Sequence, residues 1–190
     1  MKPFSAALLF LYLSLLTGCG SLMATMQADT IEDDPGWRTL GQIIDDDNIE
    51  TKAIVNIHAA NESFHDAHLV AVSYNGYVLL AGQVNSEKLK TKAADVVRKV
   101  QGVRRIYNEL EIAAPSSGIT RTSDTWITTK VKSWLLGNSS IEGTRVKVVT
   151  ENGVVYLMGL ATNEEAERIS NKAATISGVQ RVVRLFEVLL

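Results

Sequence analysis

The chain repeats itself, and that constrains its fold more than any other feature. Asn75-Gly76 followed by Gly82 returns as Asn152-Gly153 followed by Gly159, an offset of 77. Gly102-Val103-Arg104-Arg105 returns as Gly178-Val179-Gln180-Arg181, an offset of 76. Ile49-x-Thr51-Lys52 returns as Ile127-x-Thr129-Lys130, an offset of 78. Offsets that drift by single residues between blocks are what loops absorb, so this is a tandem duplication rather than a compositional echo. Each copy must build its own core from roughly 65–70 residues, near the size at which one core is only marginally stable.

Each copy reads as α-β-β-α-β. First helices are expected over 46–60 and 123–136, the second capped by Ser123 or Asp124 and leaving through a left-handed Gly137-Asn138. Two alternating runs follow, 69–73 with 77–81 and 144–150 with 154–160. Each pair is joined by Asn-Gly, the strongest short hairpin signal because both turn residues need positive φ. Second helices over 86–100 and 163–176 end at Gly102 and Gly178 in the C′ position, and last strands cover 103–112 and 179–189. The fold class is α+β: two domains, each with two helices on one face of a three-stranded mixed sheet. The other sheet face is either solvated or packed on the second copy. The expected divisions are a leader over 1–18, a tether over 19–44, a first domain over 45–113, a linker over 114–121 and a second domain over 122–190. Trp37, in the tether, is expected to dock on a neighbouring domain surface, with a second membrane contact as the alternative.

The leader starts with Lys2 and continues in an apolar run from Phe4 to Leu16. That run is too short to span a bilayer comfortably and has the length of a signal-peptide core. Its ending, Leu16-Thr17-Gly18-Cys19, resembles the bacterial lipobox, which implies cleavage before a diacylglyceryl-modified Cys19. Each buried methylene of such chains contributes about 0.8 kcal/mol of membrane affinity. Gly20 follows the cysteine where enteric lipoproteins kept on the inner membrane carry Asp, so the resemblance implies an outer-membrane anchor facing the periplasm. Cys19 is the only cysteine, which excludes an intrachain disulfide and a metal site built on thiolates.

A formal net charge of −2 gives no basic field for nucleic acid. His58, His65 and His68 lack a zinc-ligand pattern and read as solvated loop residues, and the second copy has no histidine to activate a nucleophile. No Gly-rich phosphate loop occurs. These observations point to no enzyme, no metal and no cofactor. Arg104-Arg105 reads as a solvated edge charge.

The helix over 123–136 is the exception to this blandness. Ile127, Val131 and Leu135 form its core stripe, and Trp126 projects about 140° away from it, with Lys130 on the same flank and Lys132 further round. An indole beside cations on a helix surface suits a membrane interface. The duplication supplies a control: Ile127, Val131 and Leu135 correspond to Ile49, Ala53 and Ile57, whereas Trp126 and Trp134 correspond to Asn48 and Asn56. The fold therefore needs neither tryptophan. Residues 45–114 carry 8 basic and 10 acidic side chains, and residues 115–190 carry 9 and 7.

The order of helix, strand, Asn-Gly, strand ending in Gly, helix, Gly-Val and strand resembles the BON domain. It is carried further by Asn108-Glu109, by Ser123-Asp124-Thr125-Trp126-Ile127-Thr128-Thr129-Lys130-Val131, and by the run from Thr150 to Leu160. Two such domains behind a lipobox resemble the dual-BON outer-membrane lipoproteins. That resemblance implies a non-enzymatic protein that supports outer-membrane integrity, gathers at division sites and binds anionic phospholipid such as phosphatidylglycerol or cardiolipin. The contact would lie on the first helix of the second domain, with Trp126, Thr129, Lys130, Ser133 and Trp134 as the candidate residues; Trp134 is an aromatic that the resemblance does not account for. The alternative is an adaptor that holds an outer-membrane assembly protein through the same helix or through the strand ending at Leu189-Leu190. A monomer is expected.

Overall fold

Two Asn-Gly turns set the architecture. A computed structural model describes residues 37–189, so the leader, Cys19 and most of the tether lie outside the described residues. Asn75 and Gly76 have φ of 50° and 73°, and Asn152 and Gly153 have 49° and 75°. These turns join strands β1 (His68–Tyr74) and β2 (Tyr77–Val84), and their duplicates β5 (Val146–Glu151) and β6 (Val154–Ala161), in antiparallel register. In the first domain, β3 (Arg105–Asn108) and β4 (Glu111–Ile112) are two pieces of one broken strand, and both run parallel to β2. The break turns Leu110 inward, where it is fully buried. In the second domain, β7 (Arg181–Val188) runs unbroken beside β6.

Helices α1 (Leu40–Ala60) and α2 (Glu87–Val97) cover one face of the first sheet, and α3 (Gly118–Gly137) and α4 (Asn163–Ala174) one face of the second. Ile49, Ala53 and Ile57 of α1 meet Ala93 and Val97 of α2 over Val78 and Leu80. Ile127, Val131 and Leu135 of α3 meet Ile169 and Ala173 of α4 over Val155 and Leu157. The αββαβ expectation holds in both copies.

The first helices begin earlier than expected. Thr39 caps α1 through a reciprocal capping box with Gln42, so ordered structure starts inside the expected tether. Ser117 caps α3 by accepting from Thr120 N, one and a half turns before Ser123, so α3 uses up part of the expected linker. Neither Ser123 nor Asp124 is a cap. Asn138 leaves α3 in an extended conformation (φ −105°, ψ 104°), not a left-handed one. Gly102 and Gly178 do have positive φ, 92° and 99°, but each lies several residues past its helix, at the end of a further turn.

The remaining faces of the two sheets pack on each other. Tyr74, Leu79 and Ala81 of the first domain share one cluster with Val154, Tyr156, Met158, Leu160 and Leu185 of the second. Polar pairs ring this seam. His68 Nε2 lies 3.1 Å from Glu151 Oε1, and Lys147 Nζ donates to Glu50 Oε1 (2.7 Å) and to Ser73 O (2.9 Å). Arg104 donates twice to the Glu187 carboxylate, at 3.0 and 3.4 Å, and its guanidinium lies 4.8 Å from the centre of the Tyr77 ring. His68 thus joins the domains rather than standing solvated, while Arg104 and Arg105 are exposed as expected and Arg104 also reaches across to the second domain. Burial pushes the Tyr156 hydroxyl up to about 12, with Glu109 adding to the effect and Arg181 opposing it.

Candidate functional site

Below each Asn-Gly turn sits an aspartate that the first helix supplies. Asp46 is almost fully buried and accepts from Ser73 Oγ (2.6 Å), Asn75 N (2.8 Å), Gly76 N (2.9 Å) and Arg38 Nη1 (2.9 Å). Burial alone would raise its pKa. The hydrogen bonds from Ser73, Gly76, Asn75 and Arg38 outweigh that and hold it below the usual carboxylate value. Asp124 does the same work with fewer partners, accepting from Asn152 N (2.9 Å) and Gly153 N (2.8 Å). These contacts pin α1 and α3 to their hairpins and fix which helix faces point outward.

On α3 the outward face carries Ile119, Trp126 and Leu136, which are 85%, 66% and 67% exposed. Thr122, Thr129 and Ser133 fall between them at steps of three and four residues, so the six side chains form one stripe about 25 Å long. Thr122 Oγ1 donates to Gly118 O and Thr129 Oγ1 to Thr125 O, at 2.9 and 2.8 Å. Those hydroxyls are satisfied within the helix, and the stripe presents methyl groups around the indole. Arg121, Lys130 and Lys132 flank it, all exposed. The only acid in α3 is Asp124, buried and held by its turn. The exposed surface of this helix is therefore cationic and apolar.

The five candidate residues divide. Trp126, Thr129 and Ser133 share the stripe. Lys130 borders it, with its ammonium donating to Ser177 O, which ties α3 to the loop before β7. Trp134 lies about 80° round the helix from Trp126 and packs partly buried against the second-domain core. Ile119 and Leu136 complete the stripe and were not among the candidates. Leu136 falls inside the helix expected over 123–136, and the spacing of Ile119 to Trp126 is readable in the sequence once that helix is allowed to begin at Gly118 rather than at Ser123. Trp37 is 55% exposed, and the Arg145 guanidinium lies 5.8 Å from the centre of its ring.

The first copy shows what such a helix looks like without this surface. Leu40, Ile44 and Val55 of α1 are exposed, but Asp45 and Asp47 stand exposed among them. An anionic surface would repel α1 where it attracts α3. The His58 and His65 rings meet edge-on at 5.3 Å. Among the described residues, no three His, Cys, Asp or Glu side chains are grouped to hold a metal, and no helix is long and apolar enough to cross a membrane.

The BON domain pattern matches residues 45–114 and again 123–189. The chain belongs to the BON family. It is 38% identical over 152 residues to a Haemophilus influenzae protein named outer membrane lipoprotein DolP, spanning 80% of this chain and 79% of that one. It is 35% identical over 149 residues to the 21 kDa hemolysin of Actinobacillus pleuropneumoniae, spanning 78% and 76%. It is 25% identical over 187 residues to the osmotically-inducible protein Y of Escherichia coli K12, spanning 94% and 92%. With two BON domains and these identities, it is a DolP-like dual-BON protein.

Proposed function

We propose that this chain is a lipoprotein of the outer membrane, anchored through Cys19 and facing the periplasm, whose second BON domain docks on anionic phospholipid through α3. It supports envelope integrity without catalysis, gathered at division sites. The observation that carries this reading is the asymmetry of the duplicated helix. One scaffold presents Ile119, Trp126 and Leu136 among cations in the second copy, and Leu40, Ile44 and Val55 among acids in the first. The name of the H. influenzae relative supports the compartment and the anchor.

Burying a large apolar side chain contributes about 1.5–3 kcal/mol, and each basic residue near an anionic leaflet adds about 1 kcal/mol. The stripe and its three flanking cations are enough for a second membrane contact beside an acyl anchor. Co-sedimentation of the chain from Gly20 onward with phosphatidylglycerol vesicles tests this. Trp126→Ala is expected to weaken partitioning about tenfold, in line with that side-chain term, and Lys130→Glu to weaken it further at low salt. Binding to phosphatidylcholine vesicles of equal strength, or partitioning unchanged in both variants, would remove the proposal.

A second reading, an adaptor for an outer-membrane protein, draws support from β7. Among the described residues this eight-residue strand pairs only with β6, which leaves its outer edge as a place for strand addition. Loss of a stoichiometric protein partner on substituting the β7 edge, with lipid binding intact, would favour it.

A further inference from the structure

The duplication gives α1 a counterpart of the α3 surface, and at that place the first domain has a cleft. Its volume is about 650 Å³, within the range of small-ligand sites. The helical position of Trp126 is Asn48, that of Ser123 is Asp45 and that of Thr120 is Gln42, while Ser177 is matched by Gln101. Lysine is kept, as Lys52 for Lys130. The Asn75-Gly76 turn closes one end, and Leu160 with the end of β7, through Leu189, closes the side from the second domain. The cleft therefore exists only with the two domains docked.

Its chemistry differs from that of the α3 stripe at every changed position. Gln42, Asn48, Asn75 and Gln101 bring four side-chain amides to one concavity. The Oδ1 of Asn75 is buried without a hydrogen-bond partner, although its backbone N–H is taken by Asp46 and its carbonyl by Arg104. A buried acceptor left in that state is costly, and a turn of the Asn75 side chain that brings its amide to a donor at the cleft surface would relieve the cost. Asp45, Asp46 and Glu187 are set against Lys52 and Arg104 in the lining, with Arg104 already paired to Glu187 and Asp46 held by its turn, so neither sign of charge selects an ion. The amides disfavour a purely apolar guest. A peptide strand needs a free backbone ladder, but Leu189 N at this wall already donates to Ala161 O and the other walls are helix and turn. A neutral ligand rich in hydroxyl and amide donors remains, with Ile49, Leu160 and Leu189 as an apolar floor for ring faces.

We propose that this interdomain cleft binds an acetamido-bearing oligosaccharide of two to three sugar units, so that the duplicated scaffold carries a lipid-facing helix in one copy and a glycan cleft in the other. The acetamido group can pair both its N–H and its C=O with a side-chain amide, and hydroxyl donors can meet the Asp45 carboxylate. The proposal does not depend on the phospholipid reading.

The test is a nitrogen-15 NMR titration of the full-length chain in a zwitterionic detergent, with the trimer of N-acetylglucosamine as probe and maltotriose and tri-alanine as comparators. Saturable shifts confined to Gly76, Gly102 and the side-chain amides of Gln42, Asn48, Asn75 and Gln101 are expected for the acetylated trimer alone. Asn48→Trp and Asp45→Ser each install the residue class that the second copy folds with, Trp126 and Ser123. Each is expected to weaken the trimer at least about tenfold, the equivalent of one or two hydrogen bonds, while the remaining spectrum is unchanged. The proposal is overturned by an absence of saturable shifts at the cleft, by tri-alanine or maltotriose shifting the same signals as strongly, or by full binding in both variants.

Discussion

Replacing Asp46 by Ala removes an acceptor that four donors use: Ser73 Oγ, Asn75 N, Gly76 N and Arg38 Nη1. A hydrogen bond to a charged group contributes about 1.5–3 kcal/mol, but such bonds are not additive when they share one acceptor. The Arg38 pair is partly solvated, so it adds least. The two turn amides and the serine hydroxyl are left buried without partners. The expected loss is about 3–5 kcal/mol, the range for breaking one side of a buried charged network. Asp124→Ala orphans only Asn152 N and Gly153 N, for an expected loss of about 2–3 kcal/mol. Urea unfolding at pH 7 therefore ranks Asp46→Ala below Asp124→Ala, and both below the parent chain. The acid limb adds a second check. The folded-state carboxyl of Asp46 lies below its ordinary value of 3.8, so its stabilisation is complete above that pH and is lost as pH falls toward the folded value. The gap between parent and Asp46→Ala should close below about pH 4. A gap that widens in acid, or an Asp124→Ala loss as large as that of Asp46→Ala, would refute the assignment.

Three further outcomes follow from the packing. Gly159 has φ of 147°, and a Cβ there would sit 2.1 Å from Arg145 O across the β5–β6 pair, so Gly159→Ala should lower stability by more than about 2 kcal/mol in a denaturant melt. Tyr156 fills the seam between the sheets at 2% exposure, and Tyr156→Ala should cost about 3–5 kcal/mol and raise proteolysis between the domains. The two α3 tryptophans should separate by assay: Trp134→Ala loses about 1–3 kcal/mol of stability with lipid partitioning retained, and Trp126→Ala does the reverse, with stability within about 0.5 kcal/mol.

Much of the fold was legible because it is local and repeated. The Asn-Gly turns, the 3.6-residue stripe of Ile127, Val131 and Leu135, and the strand alternation each follow from nearest-neighbour geometry. The helix starts are hidden in the sequence because Ser117 and Thr39 lie in stretches whose Pro, Gly and Ser content reads as linker, although Thr39-x-x-Gln42 is itself a capping-box pattern. Asp46 and Asp124 act on turns about 29 residues away, and no local spacing reports such contacts. A hint was present all the same, in an acid falling inside the core arc of the same helix in both copies. The packing of sheet on sheet also has a sequence signal, since β6, Val-Val-Tyr-Leu-Met-Gly-Leu-Ala, has no polar residue on either face, the pattern of a strand buried on both sides. The roles of His68 and Arg104 could not be read, since their partners Glu151 and Glu187 are 83 residues distant and meet them only when the domains dock.

The central claim is that the Trp126 face of α3 enters an anionic bilayer, and the depth of its indole tests that most directly. A chain beginning at Gly20 with Trp37→Phe and Trp134→Phe leaves Trp126 as the sole tryptophan reporter. With vesicles of phosphatidylglycerol brominated along the acyl chain, the account predicts a blue-shifted emission and quenching greatest for bromines nearest the headgroup, both abolished by Lys130→Glu with Lys132→Glu. An emission maximum that stays at its aqueous wavelength, with no quenching at saturating anionic lipid, would contradict it.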